Sequence, residues 1–247
     1  SPTEESYIET SGSASGVCII DSYAFVADYG SGLRIINISN PSSPAEVGSC
    51  DTPGTAWGVY VSGNYAYIAD WESGLRIIDI SNPSSPYETG YYDTPGYSWD
   101  VFVSGSYAYV ADGTSGGLRV IDISNPSSPT ETGYFDTPGS SRGVYVSNGY
   151  AHVSDYSGGF RILNVSNPSS PTETGYYNTP GNALCVFVSG SYAYLADGDS
   201  GLRVINIFNP TNPIEVGYYN TPGYANGVYV SGNYAYVAED DGLRVIN

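Results

Sequence analysis

The sequence predicts an all-β protein: a six-bladed β-propeller with four antiparallel strands per blade, its ring closed by the N-terminal strand pairing with the C-terminal blade. Three observations predict it. The segment Gly-Leu-Arg-Ile/Val-Ile-Asn/Asp recurs from Gly32, Gly74, Gly117, Gly159, Gly201 and Gly242, the fourth copy reading Gly159-Phe160-Arg161-Ile162-Leu163-Asn164. A period of about 42 residues is the length of one propeller blade. Each period contains four short β-favouring runs parted by turn residues. The two ends of the chain carry complementary pieces of one period.

The second copy shows the four runs in order. Val59-Tyr60-Val61 is apolar and β-favouring, and Ser62-Gly63-Asn64 turns the chain. Tyr65-Ala66-Tyr67-Ile68-Ala69 is the second run, ended by Asp70-Trp71-Glu72-Ser73-Gly74. Leu75-Arg76-Ile77-Ile78-Asp79-Ile80 is the third. Ser81-Asn82-Pro83-Ser84-Ser85-Pro86 cannot be strand interior, because its prolines lack ladder donors. Tyr87-Glu88-Thr89-Gly90-Tyr91-Tyr92 is the fourth, and Asp93-Thr94-Pro95-Gly96 closes the unit. Helical periodicity appears nowhere.

The first three runs are apolar on both faces, as expected of a blade sandwiched between two others. Ala66 and Ala69 have small counterparts in every copy, such as Ala151 and Ser154, which lets neighbouring blades converge toward a hub. The tyrosines of the fourth run fill the wider rim. The chain ends after a third run, Leu243-Arg244-Val245-Ile246-Asn247. It starts with Ser1-Pro2-Thr3-Glu4-Glu5-Ser6-Tyr7-Ile8, which aligns with the fourth run. Pairing the two would close a ring and hide two sheet edges at once. The repeat fills the chain, so residues 1–247 read as one domain.

The 247 residues include 26 tyrosines, enough for an aromatic core, and 25 Asp and Glu against seven Arg, for a net charge of −18. Such a surface repels phosphate backbones, which makes nucleic acid and anionic membrane poor partners. It suits cations, a basic partner, or plain solvation. Cys18, Cys50 and Cys185 share no metal-like spacing. Cys18 and Cys50 fall on the first and fourth strands of one blade, about 14 Å apart at about 4.8 Å per strand, too far for a disulfide. No apolar run is long enough to insert in a membrane. Residue 1 is Ser and no signal peptide is visible, so the chain is expected to be a mature or excised domain.

Tyr-Val-Ala-Asp followed by Gly-Leu-Arg-Val-Ile-Asp-Ile-Ser-Asn-Pro resembles the LVIVD repeat of bacterial and archaeal surface proteins, six times over the whole chain. The resemblance implies a β-propeller and an extracellular or cell-surface setting. It carries no catalytic residues to transfer, and a fold alone does not assign a function.

Turns alternate between the two ends of an antiparallel blade. One end repeats the same Ser-Gly-Asn turns and Asn-Pro-Ser-Ser-Pro loops. The other end varies. After each Thr-Pro-Gly connection stand Thr55-Ala56-Trp57, Tyr97-Ser98-Trp99, Ser140-Ser141-Arg142, Asn182-Ala183-Leu184 and Tyr224-Ala225-Asn226. The second-to-third turns add Tyr29, Trp71 and Tyr156, with Gly113 and Gly198 at the matching places. All three tryptophans fall on this end, with Arg142, the one arginine outside the repeated position. Trp57, Trp71, Trp99, Tyr97, Arg142, Tyr29, Tyr156 and Tyr224 are therefore the candidate ligand-binding residues. Trp and Arg supply contact area with a polar handle, and indole faces stack on sugars or cations. The competing reading has Trp57 and Trp99 plugging the channel mouth or covering blade edges.

Other sites carry less. Arg34, Arg76, Arg119, Arg161, Arg203 and Arg244 each follow an acidic residue at the end of the second run, which reads as a repeated ion pair. Asp197-Gly198-Asp199-Ser200-Gly201 and Glu239-Asp240-Asp241-Gly242 offer oxygens for Ca²⁺, though neither matches an EF-hand loop, and no cofactor is expected. His152 replaces a mid-strand tyrosine and reads as core. Asn37 and Asn164 begin sequons that come with the repeat. No catalytic constellation can be assembled. The expected function is non-enzymatic recognition of a protein or glycan, or scaffolding. The alternative is a polysaccharide hydrolase or lyase with its site at the channel mouth, since a propeller can bring carboxylates of distant blades together.

Overall fold

A computed structural model describes residues 4–247. The chain is an all-β, six-bladed propeller built from six antiparallel sheets. The first sheet holds β1 (Gly16–Ile20), β2 (Tyr23–Ala27), β3 (Leu33–Asn37) and β4 (Ala45–Cys50). The second holds β5 (Gly58–Ser62), β6 (Tyr65–Ala69), β7 (Leu75–Asp79) and β8 (Tyr87–Tyr92). The third holds β9 (Asp100–Ser104), β10 (Tyr107–Ala111), β11 (Leu118–Asp122) and β12 (Thr130–Phe135). The fourth holds β13 (Gly143–Ser147), β14 (Tyr150–Ser154), β15 (Phe160–Asn164) and β16 (Thr172–Tyr177). The fifth holds β17 (Cys185–Ser189), β18 (Tyr192–Ala196), β19 (Leu202–Asn206) and β20 (Ile214–Tyr219). The sixth has three strands, β21 (Ala225–Ser231), β22 (Tyr234–Glu239) and β23 (Gly242–Ile246). One helical turn, α1 (Gly113–Gly116), forms where the third repeat carries an extra residue between β10 and β11.

By compactness the chain divides into two units: Ser1–Val110 with Ile121–Glu131, and Ala111–Val120 with Thr132–Asn247. Each buries its own core. In the first, Phe25, Ala27, Leu33 and Ile35 of one sheet pack on Val59, Val61, Ala66, Ile68 and Ile78 of the next. In the second, Phe160 and Ile162 pack on Val186, Val188, Ala193 and Leu195. The alternating pleat explains this: β6 sends Ala66 and Ile68 to one neighbour and Tyr67 and Ala69 to the other.

The third and fourth strands of a sheet share a register irregularity. Ile77 pairs with Gly90 while Ile78 pairs with Glu88, so Thr89 is left out of the ladder. The bulge brings Gly90 against the next repeat's proline loop, where an added Cβ would lie 2.2 Å from the Pro126 carbonyl oxygen. Gly48, Gly133 and Gly175 meet Pro83, Pro168 and Pro210 in the same way.

One expectation is corrected. The closing strand from the N-terminus is absent among the described residues: the sixth sheet keeps three strands, and residues 4–10 carry no strand. Ser1, Pro2 and Thr3 of that expected strand lie outside the described residues. The segment instead spends its contacts on the first sheet. Ser6 Oγ donates to the Pro41 carbonyl, Ser42 Oγ donates to Glu5, and Ile8 packs on Ala24, Val26 and Ile36. These partners are the ones a fourth strand makes with the following blade, as Gly90 does with Pro126, so the similarity to a fourth strand is satisfied without strand pairing.

Candidate functional site

The variable end of each unit is held together by a repeated main-chain device. The second-to-third turn of one sheet bridges the connection into the next: Tyr29 with Ala56 and Trp71 with Ser98 in the first unit, and Gly113 with Ser141, Tyr156 with Ala183 and Gly198 with Ala225 in the second. A buried carboxylate braces each connection. Asp70 accepts from Thr52 Oγ1 and the Gly54 N–H; Asp155 accepts from Thr137 Oγ1 and the Gly139 N–H. Burial raises the carboxyls of Asp70, Asp155 and Asp197 above their ordinary range, against the lowering pull of these hydrogen bonds and of the neighbouring arginines.

The repeated arginines serve the same brace. Arg76 Nε lies 3.9 Å from Asp70, its Nη2 donates to Asp93 at 2.8 Å, and its guanidinium stacks 4.5 Å from the Tyr91 ring. Arg34, Arg161 and Arg203 repeat the pairing with Asp28, Asp155 and Asp197 at 3.8 Å. Their ion pairs are internal, as the repeat suggests.

Five of the candidate residues meet in the first unit. Trp57 stands 4.6 Å from Trp99, 5.2 Å from Tyr29 and 6.4 Å from Trp71, between ring centroids. Trp71 stands 6.0 Å from Trp99 and 5.3 Å from Tyr97. The three indoles are half-buried, and Tyr29 and Tyr97 are exposed. The rings form one continuous aromatic patch, edge-on and tilted as aromatic quadrupoles prefer.

Two of these rings sit on backbone that rarely carries them. Tyr29 and Trp71 have φ of 52° and 47°, the left-handed region that disfavours bulky side chains by about 1 kcal/mol or more. Tyr156, at 50°, does the same in the second unit, while Gly113 and Gly198 occupy the matching places at 63° and 57°. The sequence carried a signal for this strain, the exchange of glycine for aromatic at one turn position, but the backbone conformation itself comes from the structure.

The remaining candidates gather in the second unit. The Arg142 guanidinium lies 5.0 Å from the Tyr156 ring, and desolvation lowers its pKa while Tyr156 and Tyr224 raise it. Tyr224 lies beside Tyr156 and Asn182, the latter outside the candidate set. Burial raises the Tyr224 phenol above its usual range. The Tyr224 ring lies over Gly198, where an added Cβ would come within 2.8 Å of it.

The other features resolve simply. His152 is buried, stacked parallel on Phe160 at 6.0 Å, with Nε2 3.3 Å from Ser147 Oγ. Burial lowers its pKa to about 4. Asp197 is buried against Gly181 and Arg203, and Asp240 accepts from Asn226. Among the described residues no three His, Cys, Asp or Glu side chains cluster as metal ligands. The three cysteines are free thiols. Asn37 and Asn164 accept from the backbone of Ser39 and Ser166.

The LVIVD repeat model matches residues 11–52, 53–94, 95–137, 138–179, 180–221 and 222–247. The chain belongs to the LVIVD repeat family. A search of curated proteins finds no match to this LVIVD chain. Among solved structures, the periplasmic gluconolactonase PpgL of Pseudomonas aeruginosa is similar at 14% identity, with 99% of this chain and 83% of that one covered and a TM-score of 0.86. A putative 6-phosphogluconolactonase of Bacteroides fragilis is similar at 12% identity, with 94% and 79% covered and a TM-score of 0.78. BamB of Moraxella catarrhalis is similar at 14% identity, with 94% and 82% covered and a TM-score of 0.62. At these identities the likeness is one of fold.

Proposed function

We propose that this LVIVD propeller is a non-enzymatic recognition module of a protein outside the cytoplasm, taking a glycan or a protein surface on the aromatic patch of its first unit. The observation that carries the reading is the concentration of Tyr29, Trp57, Trp71, Tyr97 and Trp99 in one patch, with two of the rings held on left-handed backbone where glycine suffices elsewhere. Backbone strain that the fold does not require is a mark of a functional position. Flat aromatic faces suit the apolar faces of sugar rings and the hydrophobic centre of a protein contact. The charge of −18 disfavours polyanionic ligands. The extracytoplasmic setting draws on the family resemblance and on the periplasmic gluconolactonase among its structural neighbours.

Neutral polysaccharides and glycoproteins on an array, read with fluorescently labelled protein, test the proposal. Saturable retention is expected, with tryptophan fluorescence changing on binding. Tyr97→Ala and Trp71→Gly should each weaken it at least tenfold. Retention that both variants leave unchanged, or turnover of a polysaccharide by the wild-type chain, would remove this assignment.

A further inference from the structure

The middle of the second strand carries a buried ring in the repeat, as at Phe25, Tyr67 and Tyr109. The fourth copy has the shorter His152 there. Three further departures from the repeat surround it. Phe160 stands where Leu33, Leu75, Leu118 and Leu202 stand in other copies. Asn148, with φ of 52°, stands where Gly63, Gly105, Gly190 and Gly232 turn at 58° to 61°. Phe208 stands where Ser39, Ser81, Ser124 and Ser166 follow the third strand, and it is 82% exposed. All four departures lie within the second unit. Positions that break a local rule the rest of a fold obeys are where function is expected.

Three of the four meet. His152, Asn148 and Phe208 line an open hollow of about 170 Å³, together with Ser147, Tyr150 and Ile207. It lies between the β13–β14 turn of the fourth sheet and the β19–β20 loop of the fifth, at the end of these sheets away from the variable turns. Phe160 is fully buried and stacks on the imidazole at 6.0 Å, while the imidazole edge reaches Ser147 at 3.3 Å. The core is thus filled on the Phe160 side, and the space given up by the shorter side chain opens on the Ser147 side.

The lining defines the guest. A cavity of about 150 Å³ is enough to hold benzene, so this one takes a single six-membered ring. Tyr150, Ile207 and Phe208 give it apolar and aromatic walls. Ser147, Asn148 and His152 are its polar groups, and none is charged, because burial keeps the imidazole neutral. Among the described residues His152 Nδ1 has no hydrogen-bond partner. A bare lone pair is tolerated in a core more readily than a bare N–H, so Nε2 carries the hydrogen and donates to Ser147 Oγ. The Ser147 hydroxyl keeps its own hydrogen to donate to a guest.

We propose that this hollow binds a neutral phenolic ring, the group that the repeat supplies itself as Tyr67 and Tyr109 and that His152 leaves out. The ring stacks on Phe208, and its oxygen accepts from Ser147. A free phenol and a tyrosine side chain of another molecule offer the same group. No residue of the aromatic patch in the first unit takes part.

His152 is the only histidine, so its imidazole protons report on the hollow directly. Proton NMR titrations with p-cresol, N-acetyltyrosinamide and methyl glucoside test the proposal. p-Cresol is expected to shift the imidazole signals saturably, with a Kd of about 1 mM or tighter for one ring in a small cavity. The glucoside should leave them in place. N-acetyltyrosinamide binding within tenfold of p-cresol assigns a tyrosine side chain as the guest, and weaker binding assigns a free phenol. Phe208→Ser and His152→Tyr each restore a residue found in other copies, so both should fold, which circular dichroism checks. Phe208→Ser should weaken p-cresol at least tenfold. His152→Tyr, followed by saturation transfer to the ligand, should abolish binding by filling the hollow. Neither variant should alter retention on the polysaccharide and glycoprotein array, so the two assignments fail separately. Imidazole signals that p-cresol leaves unmoved overturn the proposal. So does a glucoside that binds more tightly than p-cresol, or either folded variant binding p-cresol like wild type.

Discussion

Trp71 and His152 show how single side chains depart from the repeat around them. Trp71 occupies a left-handed position that Gly113 and Gly198 fill without strain. Replacing Trp71 removes the same ring contacts whichever small residue follows, but only glycine also relieves the backbone. Trp71→Gly should therefore be more stable than Trp71→Ala by about 1 kcal/mol, read as a difference in denaturant midpoint. His152 is buried and neutral in the fold, with a pKa of about 4 against 6.5 when exposed. Between these values the unfolded chain binds a proton that the folded chain does not, so stability falls as pH drops from 6.5 toward 4. The full loss is about 3 kcal/mol. The raised carboxyls of Asp70, Asp155 and Asp197 act in the opposite sense, gaining stability as they protonate. His152→Tyr, which restores the residue found at Tyr67 and Tyr109, isolates the histidine. Below pH 6 the variant should lose less stability on acidification than wild type, and equal slopes would refute the assignment. His152 was recognisable from sequence as a core position. The strain at Trp71 was signalled only by Gly113 and Gly198 at the matching turns, because residue type alone does not report φ.

The blade is the element that the sequence resolves best. The run Tyr65–Ala69 and the run Tyr87–Tyr92 coincide with β6 and β8 residue for residue. The alternation of apolar side chains and the Gly, Pro and Asn turns between them set those limits. The bulge between the third and fourth strands was not legible, since a one-residue slip leaves composition unchanged. Its consequence is testable. Gly90 faces a backbone carbonyl of the next repeat, where an added methyl group would sit 2.2 Å from oxygen. Gly217 holds the same place in the fifth sheet but meets only Val204 at 3.9 Å. Gly90→Ala should destabilise by about 2 kcal/mol or more, while Gly217→Ala should change stability by less than about 0.5 kcal/mol, both measured by equilibrium unfolding. Similar effects at the two sites would mean that the proline-loop contact does not set the glycine requirement.

At the scale of the whole molecule, the net charge of −18 follows from composition alone. The repeat by itself determined the number of blades, the strands within them, and the pairing of each acidic turn with its arginine. These follow from local periodicity and from residues a fixed distance apart in every copy. Tertiary structure decided the rest: that five aromatic residues from three successive repeats touch in one patch, that Arg142 lies over Tyr156, and that the described part of the N-terminal segment lies on the first sheet. Those outcomes turn on which surface meets which, and a side chain's partner in another blade is set by packing geometry that no spacing along the chain encodes.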